Sequence, residues 1–228
     1  MRIIAGRYGG RRLKVPPGII RPAMDQMRES VFASLGNLEG ARFLDLFAGS
    51  GSVGLEAASR GAALVVFVES DRKKIATLKE NITGLGLELR RGAPRDPAET
   101  SEAAPEDAAT AQVVAGPVER YLASGRADKL YADPSGTGGE RTAAHAGGEC
   151  ATAQTFDCVF TDPPFPYQKR AKVLHSLGSS PRIAEGAVVM IHYPAESPLP
   201  DEVPGLEHLR DRRFGRSVVT FFRRSAVS

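Results

Sequence analysis

One stretch narrows the fold more than any other. Ala41-Arg42-Phe43-Leu44-Asp45-Leu46-Phe47 is an apolar, strand-forming run that passes directly into Ala48-Gly49-Ser50-Gly51-Ser52-Val53-Gly54. Glycines spaced G-x-G-x-x-G after a strand let a ligand approach the backbone and let the following helix pack closely on that strand. The helix is expected to run through Arg60. A second strand, Leu64 to Val68, ends in Glu69, at about the interval expected for an acid that binds ribose hydroxyls. This order of strand, loop, helix, strand and acid predicts an α/β fold with a site for a nucleotide-containing ligand. A tight turn followed by a surface acid is the plainer alternative.

A second stretch, Phe156 to Phe165, supplies chemistry. Phe156, Val159, Phe160 and Thr161 predict a buried strand. Pro163 and Pro164 remove two ladder donors and push the preceding residue out of the helical region, so the strand stops at Asp162. What remains is a carboxylate at the carboxyl end of a strand, a stiff turn and the Phe165 ring. In an open α/β sheet, ligands bind there. The arrangement suits a flat ring bearing an exocyclic amine, whose lone pair is delocalised into the ring. The Asp162 carboxylate and the Pro163 carbonyl would accept its N–H groups and pull the nitrogen toward tetrahedral geometry. Phe165 would stack on the ring, and most of the catalysis would be positioning and electrostatics. Read alone, the same residues also make an ordinary strand with a solvated turn acid.

Two ligands compete for the glycine loop, a dinucleotide and S-adenosylmethionine. A pyrophosphate favours a loop without nearby acids, facing a helix N-terminus. Asp45 stands just before this loop and favours a cationic amino-acid group, which is the methionine end of S-adenosylmethionine.

Composition excludes several classes. No apolar run among the 228 residues approaches the length of a membrane span, and the basic, glycine-rich N-terminus has no signal-peptide core. Cys150 and Cys158 are too few for a disulfide framework or a zinc set, so a reducing cytoplasm is expected. No metal is expected, His145 and Cys150 being a weak pair in a polar segment. Net charge is only +3, but its placement is uneven. Arg2, Arg7, Arg11, Arg12, Lys14 and Arg21 precede Asp25, the first acid. Arg2 to Gly6 and Arg12 to Val15 alternate in polarity around Gly9-Gly10, which predicts a basic hairpin held over the domain, an electrostatic footprint for phosphate backbones. A solvated basic tail is the commoner explanation of such a charge run.

Along the rest of the chain, Pro22 to Gly36 reads as a helix. Met27, Val31, Phe32 and Leu35 form its apolar face, with Arg28 and Glu29 off it as a surface pair. Asp71 to Gly84, Val118 to Ala123 and Gln168 to Leu177 are further helices. Gln112 to Ala115, Ala187 to His192, Leu206 to Arg212 and Ser217 to Phe222 are strands, and His192 reads as a packed strand-end residue. Arg90 to Gln112 and Ser124 to Thr155 lack apolar periodicity and read as surface insertions. Residues 1–40 thus form a basic extension packed on a domain spanning 41–228.

Several motifs now stand in order: Arg2-Ile3-Ile4-Ala5-Gly6, Gly10-Arg11-Arg12-Leu13, Arg21-Pro22 through Asp25 to Arg28-Glu29-Ser30-Val31-Phe32, Asp45-Leu46-Phe47-Ala48-Gly49-Ser50-Gly51, Glu69-Ser70-Asp71-Arg72 and Asp162-Pro163-Pro164-Phe165. In these the chain resembles the bacterial 16S rRNA guanine(966)-N2 methyltransferases, over everything but the two insertions. The resemblance implies a Rossmann-like methyltransferase fold of seven mostly parallel strands with the last antiparallel, S-adenosylmethionine as methyl donor, and the small ribosomal subunit or an assembly intermediate as partner. It implies that Asp45, Phe47, Ala48, Gly49, Ser50 and Gly51 cradle the methionine part. Glu69 would hold the ribose, Ser70, Asp71 and Arg72 would lie near the adenine, and Asp162, Pro163, Pro164 and Phe165 would grip a flipped guanine. The arginines and lysine of the extension, together with Arg28, would bind RNA, and the protein is expected to act as a monomer. Ala23 stands where the family usually has Thr, and Ala115-Gly116-Pro117 replaces a usually polar stretch, so no side chain is assigned to the adenine amine.

Three other readings remain. An adenine-N6 methyltransferase shares the Asp-Pro-Pro-aromatic turn, but the basic N-terminal motif argues against it. A dinucleotide-dependent oxidoreductase would use the glycines and Glu69, yet has no use for Asp162 to Phe165. An RNA-binding assembly factor without catalysis has only Pro117 in its favour.

Overall fold

The computed structural model describes residues 1–15, 23–90, 109–123 and 155–226. Arg21, Pro22, His145, Cys150 and most of both expected insertions lie outside these residues. The elements run α1 (Ala23–Leu35), β1 (Arg42–Leu46), α2 (Ser52–Ser59), β2 (Leu64–Glu69), α3 (Arg72–Gly84), β3 (Glu88–Arg90), β4 (Thr110–Ala115), α4 (Val118–Ala123), β5 (Phe156–Thr161), α5 (Arg170–Ser179), β6 (Ile183–Pro194), β7 (Leu206–Phe214) and β8 (Ser217–Arg224). Among the described residues no helix is long and apolar enough to cross a membrane.

The eight strands among the described residues form one sheet in the order β3-β4-β2-β1-β5-β6-β8-β7. All pairings from β3 to β6 are parallel, whereas β8 runs antiparallel to both β6 and β7. This is the Rossmann-like methyltransferase sheet, with one strand more than the seven expected. The extra strand is β3, an edge piece whose single apolar residue, Leu89, gives no periodicity to read. β4 also begins at Thr110, inside the segment expected to be an insertion, because Thr110 and Ala111 pair with Leu64 and Val65 of β2.

β2 is buried along its whole length, and β1 and β5 nearly so. Strands covered on both faces read as near-continuous apolar runs, which is why their sequences were so legible. Phe43, Val65, Phe67 and Phe160 face α1, α2 and α3 on one side. Leu44, Val66 and Val159 face α4 and α5 on the other.

The N-terminal segment joins the first of these layers. Ile3 and Leu13 are buried in it, and the backbone closes by Ile3 N–H to Arg11 O, Gly10 N–H to Ile3 O and Leu13 N–H to Met1 O. Of the expected hairpin, only the single bridge Arg2–Arg12 is strand-like. The segment is fastened instead to α2. Glu56, fully buried, accepts from the Ile4 and Ala5 amides at 2.7 and 3.0 Å and from Arg60 Nε at 2.8 Å. Ser59 accepts from the Arg7 and Tyr8 amides. Gly6 lies so close to the Ser59 carbonyl that no side chain fits there.

Arg28 corrects the expectation of a surface residue. It is fully buried and donates to Arg2 O at 2.8 Å, to Asp25 Oδ1 at 2.7 Å and to Ser52 O at 3.3 Å, with Glu56 at 3.9 Å. A buried guanidinium persists only when paired in this way. Its partners are mostly carbonyls and an acid remote in sequence, so the pattern of α1 alone could not disclose it. Arg28 is therefore not available to RNA.

Candidate functional site

β2 and β4 lie to one side of β1, and β5 and β6 to the other, so the chain reverses its direction of travel across the sheet between β1 and β5. The loops after these two strands leave the same edge and enclose a cavity of roughly 850 Å³. This is the carboxyl-edge crevice at a topological switch point, where open α/β sheets bind ligands.

The loop after β1 is shaped by carboxylates that meet backbone amides. Phe47 adopts φ 59°, a left-handed conformation that a bulky residue rarely takes. Gly49 follows at φ 59°, and its N–H donates to Glu69 Oε2 at 2.8 Å. The other Glu69 oxygen accepts from the Ser70 and Asp71 amides at 2.8 and 2.9 Å. One side chain thus ties the end of β2 to the glycine loop. Asp71 caps α3 by accepting from the Lys73 and Lys74 amides, which hold its carboxyl below the usual range. Asp45 is buried and accepts from the Gly54 N–H at 2.9 Å, and burial raises its pKa well above the ordinary value.

The glycines divide their work. A Cβ on Gly49 would meet nothing closer than Phe47 O at 4.0 Å, so this residue borders open space in the cavity. Cβ atoms on Gly51 and Gly54 would enter the core, against Leu78 and Phe67. Gly49 leaves room for a ligand, while Gly51 and Gly54 leave room for helix packing.

Across the cavity, the Asp162 N–H extends the sheet by donating to Leu46 O at 3.3 Å. Its Oδ1 lies 2.8 Å from His192 Nδ1. His192 is buried, and its ring meets Phe165 edge-on at 5.7 Å between centroids. The turn closes with Tyr167 N–H to Pro164 O at 2.8 Å. Tyr167 packs edge-on against Phe47 at 5.1 Å and donates its hydroxyl to Glu119 Oε1 at 2.7 Å. This bond lowers the Glu119 pKa, and burial with the same bond raises that of Tyr167.

Of the residues singled out from sequence, Phe47, Ala48, Gly49, Ser50, Glu69, Ser70, Asp71 and Asp162 to Phe165 line the cavity. Asp45, Gly51 and Arg72 do not: the first two lie behind the loop, and Arg72 is exposed at the start of α3. Sequence reasoning missed His192, Tyr167, Glu119 and Lys74, which also line it. His192 carries no local signal: its place beside Asp162 follows from the register in which Thr161 pairs with Ile191. Met1 and Val15 complete one rim, with the exposed Arg2, Arg7, Arg11, Arg12 and Lys14 on the same segment. Arg11 donates to Gly84 O at 2.7 Å, and Lys14 pairs with Glu80 at 2.9 Å.

Residues 1–115 and 139–223 match the family described as conserved hypothetical protein 95. Over 226 residues, 98% of this chain and 99% of the relative, it is 30% identical to a Bacillus subtilis protein named "Putative rRNA methyltransferase YlbH". Over 112 residues, 42% of this chain and 56% of the relative, it is 40% identical to "Ribosomal RNA small subunit methyltransferase D" of Escherichia coli. A solved structure, "Putative methyltransferase yhhF" from Escherichia coli, superposes with a TM-score of 0.71 at 27% identity, covering 100% of this chain and 99% of that one. Sheet, cavity and sequence agree, and the chain belongs to the conserved hypothetical protein 95 family, that of the small-subunit rRNA methyltransferase D proteins.

Proposed function

We propose that this chain methylates rRNA, transferring a methyl group from S-adenosylmethionine to the exocyclic N2 amine of a guanine in the 16S rRNA of the small ribosomal subunit. The observation that carries this reading is the meeting, in one cavity, of the Gly49 loop with the Asp162-Pro163-Pro164-Phe165 turn. The names of the relatives support an rRNA substrate, and the resemblance in the N-terminal motif supports guanine-N2.

The residues present fit the cofactor. Gly49 leaves open backbone for close approach, the Glu69 carboxylate lines the same wall, and the cavity volume falls in the usual range for ligands of this size, about 300–1,000 Å³. Bound there, S-adenosylmethionine supplies an electrophilic methyl group on a sulfonium sulfur. Glu69 would hold the ribose hydroxyls while keeping its amide partners, since each carboxylate oxygen accepts more than one hydrogen bond.

The guanine must leave its stack to enter, which costs a few kcal/mol and least in a loop. Phe165 then faces the base, while the Asp162 carboxylate and the Pro163 carbonyl accept from the amine. On taking the methyl group from the sulfonium sulfur the nitrogen would shed one proton, for which Asp162 is the adjacent base. Positive charge developing on nitrogen thus faces a carboxylate already in place.

The test is incubation of the protein with undermethylated 30S subunits and labelled S-adenosylmethionine, followed by digestion to nucleosides. N2-methylguanosine is the expected product. N6-methyladenosine would overturn the guanine assignment, and NAD binding without S-adenosylhomocysteine binding would overturn the reaction class.

A further inference from the structure

We infer that His192 is a positioning residue that divides the Asp162 carboxylate between protein and substrate, a role that rests on the reading of Asp162 given above. The argument starts from which donors are missing. Two other acids lining the cavity are held by amides that follow them in the chain, Glu69 by Ser70 and Asp71, and Asp71 by Lys73 and Lys74, while Glu119 accepts from the Tyr167 hydroxyl. Asp162 is followed by Pro163 and Pro164, which have no N–H to offer. The turn that stiffens the site therefore also removes the two nearest local anchors of its carboxylate.

The neighbouring strand supplies the replacement. Thr161 of β5 pairs with Ile191 of β6, so Asp162 and His192 leave the ladder side by side. Nδ1 lies 2.8 Å from Asp162 Oδ1. An ionised carboxylate only accepts, so Nδ1 carries the proton in this contact. His192 is itself fixed from behind by its pairing with the fully buried Val219 of β8, and its ring meets Phe165 edge-on. One imidazole thus orients both parts of the substrate clamp, the acid and the aromatic ring. With Oδ1 held, Oδ2 is left for the amine. Without His192 the carboxylate would turn among rotamers, and part of the preorganisation would be lost.

The experiment combines kinetics with a readout independent of activity. His192→Leu removes the donor, whereas His192→Asn places an amide N–H near the Nδ1 position. Single-turnover methyl transfer to 30S subunits is expected to slow by about ten- to a hundredfold in His192→Leu, the range for a lost hydrogen bond to a charged group. It should recover to within a few-fold of wild type in His192→Asn. S-adenosylhomocysteine affinity, by calorimetry, should stay within about threefold in both. In an Asp162→Ala background, which leaves Nδ1–H no acceptor, His192→Leu should cost less than about threefold more, the remainder due to its edge contact with Phe165. Nitrogen-15 NMR of the imidazole should show the Nδ1–H form in the wild type and its loss in Asp162→Ala. A wild-type rate in His192→Leu, effects that multiply in the double variant, or an Asn variant as slow as Leu would each overturn the proposal. An Nε2–H form in the wild type would overturn it whatever base is methylated. A different methylated base, with the Nδ1–H form and the coupling intact, would instead refute only the guanine assignment.

Discussion

A side chain on Gly51 would run into Leu78 Cδ1 and lie 3.3 Å from Phe67 Cε1, so the second glycine of the loop is where α3 seats against α2 and β2. Leu78 and Phe67 are fully buried, and neither yields easily. The first glycine, two residues earlier, opens on the cavity instead. A spacing usually read as one ligand-binding device therefore contains two different constraints.

Gly51→Ala should accordingly act on folding. Overpacking typically costs about 1–3 kcal/mol, and the left-handed backbone at φ 80° adds to it. Gly49→Ala should lose less stability, with strain at φ 59° but no clash, and should weaken cofactor binding through the methyl it points into open space. Thermal unfolding beside calorimetry with S-adenosylhomocysteine separates the two. A Gly51→Ala protein as stable as wild type, or a Gly49→Ala protein with undiminished affinity, would contradict this division.

Glu69 accepts three backbone amides, one from Gly49 that ties the loop after β1 to β2 and two from Ser70 and Asp71 beyond its own strand. Glu69→Gln keeps the shape but turns one acceptor oxygen into a donor facing N–H groups. Each hydrogen bond to a charged group contributes about 1.5–3 kcal/mol. Cofactor affinity is expected to fall at least about tenfold, with faster amide hydrogen exchange at Gly49. Unchanged exchange at Gly49 would show that the loop holds its shape without this acid.

What could be read from sequence follows from which contacts are local. β1, β2 and β5 announced themselves because a strand buried on both faces must be apolar throughout, and Asp162 marked its own strand end through the prolines behind it. The glycine spacing placed the loop, although not which glycine serves the ligand, since that depends on Leu78 some 27 positions away. The burial of Arg28 and the bond between His192 and Asp162 escape the sequence for one reason. Apart from Asp25 on its own helix, the partners of Arg28, Ser52 and Arg2, lie on other elements, as Asp162 does for His192. A side chain's local pattern shows the face it occupies, not the charge waiting across the fold.

Asp45 gives a pH dependence of defined sign. Burial raises its folded pKa above the ordinary 3.8, so in that window the folded chain holds a proton that the unfolded chain has released. Stability from this group is present at low pH and is lost as pH rises from about the unfolded value through the folded one. Asp45→Asn keeps an acceptor for the Gly54 N–H and has no proton to lose. The melting temperature of the variant should gain on the wild type as pH is raised from 4 to 8. A gap that stays constant or reverses would show that Asp45 ionises without penalty.

The basic segment offers a test that separates surface charge from buried charge. Arg11 and Arg12 are exposed, and Arg28 is sealed beneath the same segment. Each phosphate contact contributes roughly one unit to the slope of log affinity against log salt. Changing Arg11 and Arg12 to Ala should therefore weaken binding to the rRNA and flatten that slope by up to about two units, with cofactor affinity unmoved. Arg28→Ala should behave differently. It takes one of two guanidinium groups from beside the buried Glu56, which keeps Arg60 and the Ile4 and Ala5 amides, and it leaves the Arg2 and Ser52 carbonyls without that donor. Removing one partner of a buried ionic group typically costs about 3–5 kcal/mol. The melting temperature should fall sharply, while the protein that remains folded keeps the wild-type salt slope. A flattened slope in Arg28→Ala at full stability, or an unchanged slope in the double Ala variant, would reverse these assignments.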